Sequence, residues 1–80
     1  MLVSPKLNTF EKNIYNLCLI NSDINPTWIK QFKTNWSKCN NKTQSFNLIK
    51  SSLSSLENKD EIQGKFACGL MEVNELELAH

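Results

Sequence analysis

The chain has no arginine, a single histidine at position 80, and only two glycines and two prolines among its 80 residues. Each shortage excludes something. Arginine's planar fork is the favoured contact for bases and phosphates. A chain whose nine basic residues are all lysine, at a net charge of +1, is therefore poorly equipped to hold nucleic acid. A serine or cysteine nucleophile needs an imidazole base, and His80 stands at the last position, where little order is expected. Gly64 and Gly69 are isolated on a helical pattern and form no phosphate-cradling loop. The three cysteines, Cys18, Cys39 and Cys68, fall one in each third of the chain with no CxxC spacing. They spell neither a disulfide framework nor a four-ligand zinc site, and read as small apolar side chains in a reducing compartment. No run approaches the ~20 apolar residues of a membrane span, and the first ten residues, with Pro5, Lys6 and Asn8, lack a signal-peptide core. The expectation is one cytoplasmic domain that is not an enzyme, with no cofactor, metal, nucleic-acid or membrane partner.

What is abundant is asparagine, 11 residues, with serine also frequent at 8. Both favour helix caps and turns over helix interiors, so they help punctuate the chain. Asn8 and Glu11 have the spacing of a capping box. Behind them Phe10, Ile14, Leu17 and Cys18 repeat as one helical face, widened by Leu19 and Ile20, up to Asn21–Ser22. Asn25 is a cap, Pro26 suits a first helical position, and Ile24 is placed to staple against Ile29. Trp28, Ile29, Phe32, Trp36 and Cys39 then form a stripe that breaks at Asn40–Asn41. Thr43 is read as the cap of a third helix carrying Phe46, Ile49, Leu53 and Leu56, with Ser51, Ser52, Ser54 and Ser55 allowing close approach by a neighbour. Asn58 and Glu61 repeat the capping-box spacing ahead of Ile62, Phe66, Leu70 and Val73. Gly64 and Gly69, each unfavourable by about 1 kcal/mol against alanine in a helix, are expected at tight helix contacts. Asn74 ends the pattern. Residues 1–8 and 75–80 are expected to be flexible or ordered by a partner.

The fold class is all-α: four short helices, or five if the C-terminal segment adds one. Short turns are expected to make neighbours antiparallel, either as stacked helical hairpins or as a small bundle. A chain this short buries only roughly 60% of its unfolded surface, so association is a natural supplement to its core. The stripe of Trp28, Phe32 and Trp36 reads first as core; three large aromatics on one helix are also more than so small an interior is expected to cover in full, and exposed aromatic surface marks interfaces. The charges are segregated as well. Lys30 to Lys50 holds five lysines and no acid, whereas Glu57 to Glu77 holds six acids and two lysines.

Paired helices with small residues on inner faces and Asn or Gly at turns suggest a tetratricopeptide-like arrangement. In Phe66-Ala-Cys-Gly-Leu-Met-Glu-Val-Asn-Glu-Leu-Glu-Leu-Ala79, Ala67 matches the small position, Leu70 the packing position and Asn74 the turn. Leu76 and Ala79 open the next helix. Together with Trp36, Asn47-Leu48-Ile49-Lys50 and Asn58-Lys59-Asp60, this resembles the small tetratricopeptide-like co-chaperones that hold the needle subunit of type III secretion systems in the bacterial cytosol. The resemblance implies a concave helical surface that shields an apolar helix of the subunit, alongside a second small helical chaperone or a second copy of itself. In helix-in-groove binding, the groove would draw on Trp28, Phe32, Trp36, Phe46, Ile49, Leu53, Phe66 and Leu70. Two other classes remain open: an inhibitory, immunity-type protein acting through the acidic block, and a helix-turn-helix binder using the lysines.

Overall fold

The structure, a computed structural model, describes residues 6–20 and 23–74. Four α-helices follow one another: α1 (Thr9–Ile20), α2 (Pro26–Ser37), α3 (Lys42–Ser54) and α4 (Lys59–Glu72). The described residues contain no strand.

Local chemistry explains where each helix begins. At α1 the capping box closes in both directions. The Glu11 N–H donates to Asn8 Oδ1, and the Asn8 N–H donates to Glu11 Oε1, each at 2.8 Å. At α2, Asn25 sits in extended backbone and its Oδ1 accepts from the Trp28 N–H at 2.8 Å, with Pro26 opening the helix where no donor is needed. Ile24 and Ile29 are both partly buried against the core. The cap of α3 is Asn41 and not Thr43. Asn41 Oδ1 accepts from the Gln44 N–H at 3.0 Å, and Thr43 already lies inside the helix. At α4 the N-x-x-E pattern is present without the bond. Asn58 has φ −100° and ψ 44°, off the extended conformation that presents a capping oxygen, and its side chain makes no capping bond. Asp60 and Glu61 remain in the first turn, where a helix favours negative charge.

Packing decides between the two all-α alternatives. In a stack of helical hairpins each unit touches only its neighbours, so α2 would lie against α3 and the first and last helices would stay apart. Here α1 and α4 pack against each other and against both remaining helices, while α2 and α3 hardly touch despite a short connection. The helices form a closed bundle around one core, and the expected antiparallel α2–α3 pair is not made. That core comprises Ile14, Leu17 and Cys18 of α1, the aromatics of α2, Cys39, Ile49 and Leu53, and Ile62, Phe66 and Leu70 of α4.

Several details differ from the sequence reading. Leu7 packs against the core, so order begins before residue 8. Leu19 and Ile20 do not widen the buried face of α1; they are 39% and 74% exposed. The serines of α3 turn back on their own helix, with Ser52 and Ser54 hydroxyls donating to the Leu48 and Lys50 carbonyls. This is the local bonding that makes serine a poor helix former, and of these serines Ser54 also meets α4, accepting from Gln63 at 2.7 Å. The two glycines part company: the Phe32 ring lies directly over Gly69, whereas a Cβ at Gly64 would meet nothing within 4 Å. The suggested fifth helix, the stop at Asn21–Ser22 and His80 fall outside the described residues.

Candidate functional site

Seven of the eight residues assigned to a groove are core residues. Trp28, Phe32, Trp36, Ile49, Leu53, Phe66 and Leu70 are each no more than 2% exposed. The stripe of Trp28, Phe32 and Trp36 is core, as its spacing first suggests, and leaves no aromatic surplus, because α1 and α4 close over it from two sides. Trp28 is anchored through its indole, whose Nε1–H donates to the Leu17 carbonyl at 2.8 Å. It stacks on Phe32 at 5.4 Å between ring centroids, and Phe32 meets Phe66 at 6.0 Å. Trp36 meets Phe66 edge-on at 6.4 Å. The ring pairs thus link α2 to α4 across the middle of the bundle.

Phe46 is the exception. It stacks on Phe66 at 5.5 Å, continuing the aromatic chain outward, but it remains half-buried. The Lys50 ammonium, one helical turn on, stands 5.5 Å from its ring centroid, a cation–π distance. Phe46 and Lys50 of α3 face Gln63, Ala67 and Leu70 of α4 across a mostly apolar cleft of about 210 Å³, floored by Phe66. Gln63 ties the two walls together by donating to Ser54 Oγ at 2.7 Å. Just outside the cleft on α4, Met71 is 60% exposed. Sequence reasoning named Phe46 but missed Lys50, Gln63 and Met71. Lys50 lies four residues after Phe46, and that spacing on a helix was the available signal.

The polar groups have structural employment. Glu11 is 4% exposed, its Oε1 engaged by the Asn8 N–H and its Oε2 by the Ser45 hydroxyl of α3. Both oxygens of this carboxylate are thus occupied by donors of the fold. Burial pushes the Cys18 thiol up from 9.0 to about 12, against a smaller opposing effect of Lys65. Cys39 is also raised, first by burial and then by Glu11, with the Ser45 hydrogen bond and Lys42 pulling the other way. Two protonated, buried thiols are poor nucleophiles. Cys68, unlike the other two, is exposed. Among the described residues no cluster of His, Cys, Asp and Glu could hold a metal. No helix of the described residues is long and apolar enough to cross a membrane.

Of the acidic block, Glu57, Asp60, Glu61 and Glu72 lie within the described residues, and Glu75 and Glu77 lie outside them. Asp60 and Glu61 occupy the first turn of α4, while Glu72 lies at its far end. There Glu72 shares a cleft of about 440 Å³ with Lys33 and Lys42. Trp36 forms part of the same wall, and its Nε1–H is buried with no acceptor among the described residues.

Fold and site together define a closed four-helix bundle with a single-sided apolar cleft between α3 and α4. The chain matches no family model, no curated protein and no solved structure.

Proposed function

We propose that this protein is a non-enzymatic binding module, a small cytoplasmic chaperone or adaptor that receives an apolar helix of another protein along the α3–α4 face. The observation that carries the reading is the cleft itself. Phe46 is the one residue of the expected groove that stays accessible, and it does so where Ala67 leaves room and Lys50 supplies a rim charge. An apolar side chain placed between Phe46 and Ala67, followed one turn later by an acid facing Lys50, fits this chemistry. The occupied carboxylate of Glu11 and the raised thiols support a role without catalysis.

The narrower form, a co-chaperone of a type III secretion needle subunit, rests on the sequence resemblance. Docking would then use the α3–α4 cleft, because the residues once assigned to a concave groove are enclosed. The broad reading is tested by comparing partners recovered from the native host by the intact protein and by Ala67→Glu. A protein retained by the first and lost by the second supports it; identical recoveries refute it. Fluorescence titration with a peptide of a needle subunit's C-terminal helix tests the narrower form. Absence of binding removes that form and leaves the broad one to the first experiment.

A further inference from the structure

At the end of the bundle where α2 and α4 finish and α3 begins, six residues line the cleft of about 440 Å³. Lys33, Trp36 and Ser37 come from α2, Lys42 opens α3, Glu72 closes α4, and Val73 stands just beyond it. Buried donors almost always have an acceptor. Trp36 is only 1% exposed, yet its Nε1–H has none among the described residues. The other indole is satisfied within the fold, since Trp28 donates to the Leu17 carbonyl at 2.8 Å. We propose that the cleft binds a monoanionic carboxylate, whose oxygens lie between Lys33 and Lys42 and accept from the Trp36 indole. This site is separate from the α3–α4 cleft and does not depend on it.

Charge and wall chemistry select the ligand. Two lysines against the single acid Glu72 leave the wall one positive charge in excess. The last turns of α2 and α4 add partial negative charge, and the first turn of α3 partial positive charge. That balance matches a monoanion, whereas a phosphate dianion would stand beside Glu72 without full neutralisation. Val73 and the indole contribute apolar wall, so a carboxylate carrying a small organic group fits better than an inorganic ion. Lys42 is held in place, its ammonium donating to the Cys39 carbonyl at 3.2 Å with further N–H groups left for a ligand. Ser37 is occupied, its hydroxyl donating to the Thr34 carbonyl at 2.8 Å. Lys33 is exposed and lies one turn before Trp36 on the same side of the helix. It is the side chain that swings aside to admit an oxygen to the indole and then closes on it with a charge-assisted bond.

The two indole N–H signals in nitrogen–proton correlation spectra test the proposal, with Trp28 as internal reference and Trp36→Phe assigning the pair. Acetate is expected to move the Trp36 signal downfield and saturably while Trp28 stays, and inorganic phosphate as the dianion to bind more weakly at equal ionic strength. Lys33→Gln with Lys42→Gln should weaken acetate roughly tenfold or more, through the loss of two charge-assisted bonds. Glu72→Gln should instead tighten it. N-acetylglutamate methylamide separates the two sources of a carboxylate. Tighter binding than acetate assigns the site to an acidic side chain of a protein, and equal or weaker binding to a free organic acid. A Trp36 signal that acetate leaves unmoved overturns the proposal, as does a shift that sodium chloride reproduces or that survives both lysine substitutions. So does a Trp36 signal displaced by Glu75→Gln with Glu77→Gln in the absence of acetate, which would assign the acceptor to the chain itself.

Discussion

A methyl group added at Gly69 would stand within 2.7 Å of three atoms of the Phe32 ring. Carbon atoms settle at about 3.5–4.0 Å, so the ring or α4 has to give way by roughly an ångström. Phe32 has nowhere to go. It is fully buried, with Trp28 at 5.4 Å, Phe66 at 6.0 Å and Trp36 at 6.3 Å around it. Forcing a methyl into a close-packed core costs about 1–3 kcal/mol. Against this stands the gain of about 1 kcal/mol from replacing glycine by alanine within a helix. Gly64 supplies the control, because the same substitution there collects the helix gain and meets no atom within 4 Å. Gly64→Ala is therefore expected to stabilise by about 0.5–1 kcal/mol, and Gly69→Ala to fall below it by the overpacking cost of about 1–3 kcal/mol. In a domain of this size each kcal/mol moves Tm by about 4–8 °C. Urea and thermal unfolding at low micromolar concentration, followed by circular dichroism, would measure both. Gly69→Ala combined with Phe32→Leu should remove the penalty relative to Phe32→Leu alone. Equal shifts for the two glycine variants would refute the argument that Gly69 exists to seat Phe32.

Three further outcomes follow from bonds described above. Ser45→Ala leaves one oxygen of the buried Glu11 carboxylate without its donor, a loss of about 1–3 kcal/mol by urea unfolding; an unchanged midpoint would show that the link carries nothing. Asn25→Ala and Asn41→Ala remove real caps and should each cost about 1 kcal/mol. Asn58→Ala, with no side-chain bond to lose, should cost much less, and equal losses at all three sites would contradict the cap assignments. Below pH 9 the Cys18 thiol is protonated in the folded and unfolded chain alike. Between 9.0 and about 12 the unfolded chain releases a proton that the folded chain keeps. Stability should therefore fall as pH rises, by about 1.4 kcal/mol per pH unit from this group. Cys18→Ala should flatten that slope, and an unaltered slope would place the titration elsewhere.

The helices themselves were legible because their signals are local. Asn8 with Glu11, and Asn25 with Pro26, act within one turn of chain, and both behave as their spacing implies. Asn58 with Glu61 shows the limit of such patterns. The same letters make no bond because the chain entering α4 leaves Asn58 outside extended geometry. Arrangement was less legible, since periodicity says which face of a helix is apolar but not which helix covers it. The stripe of Trp28, Phe32 and Trp36 was legible as core, but not how completely Leu17, Gly69 and Phe66 enclose it from two other helices. Glu11 is the plainest miss. Its capping role is encoded three residues away, but its burial depends on Ser45, 34 positions along the chain. The cleft was legible through Phe46, Phe66 and Leu70, all named for the groove, whereas Gln63 completes its wall with no apolar signal in the sequence.

The seat that Gly69 provides for Phe32 also bears on the order of events during synthesis. A ribosome completes the α2 aromatics well before it reaches residue 70, and at about 5–20 residues per second the interval lasts a few seconds. Until α4 emerges, no part of the nascent chain can offer Phe32 its glycine or Trp36 its Phe66. Trp28 can already meet Leu17 of α1, but Phe32 and Trp36 go without their α4 cover for that time, waiting on the helix made last among those described. Crowded translation should expose this protein to aggregation at that stage more than at any later one.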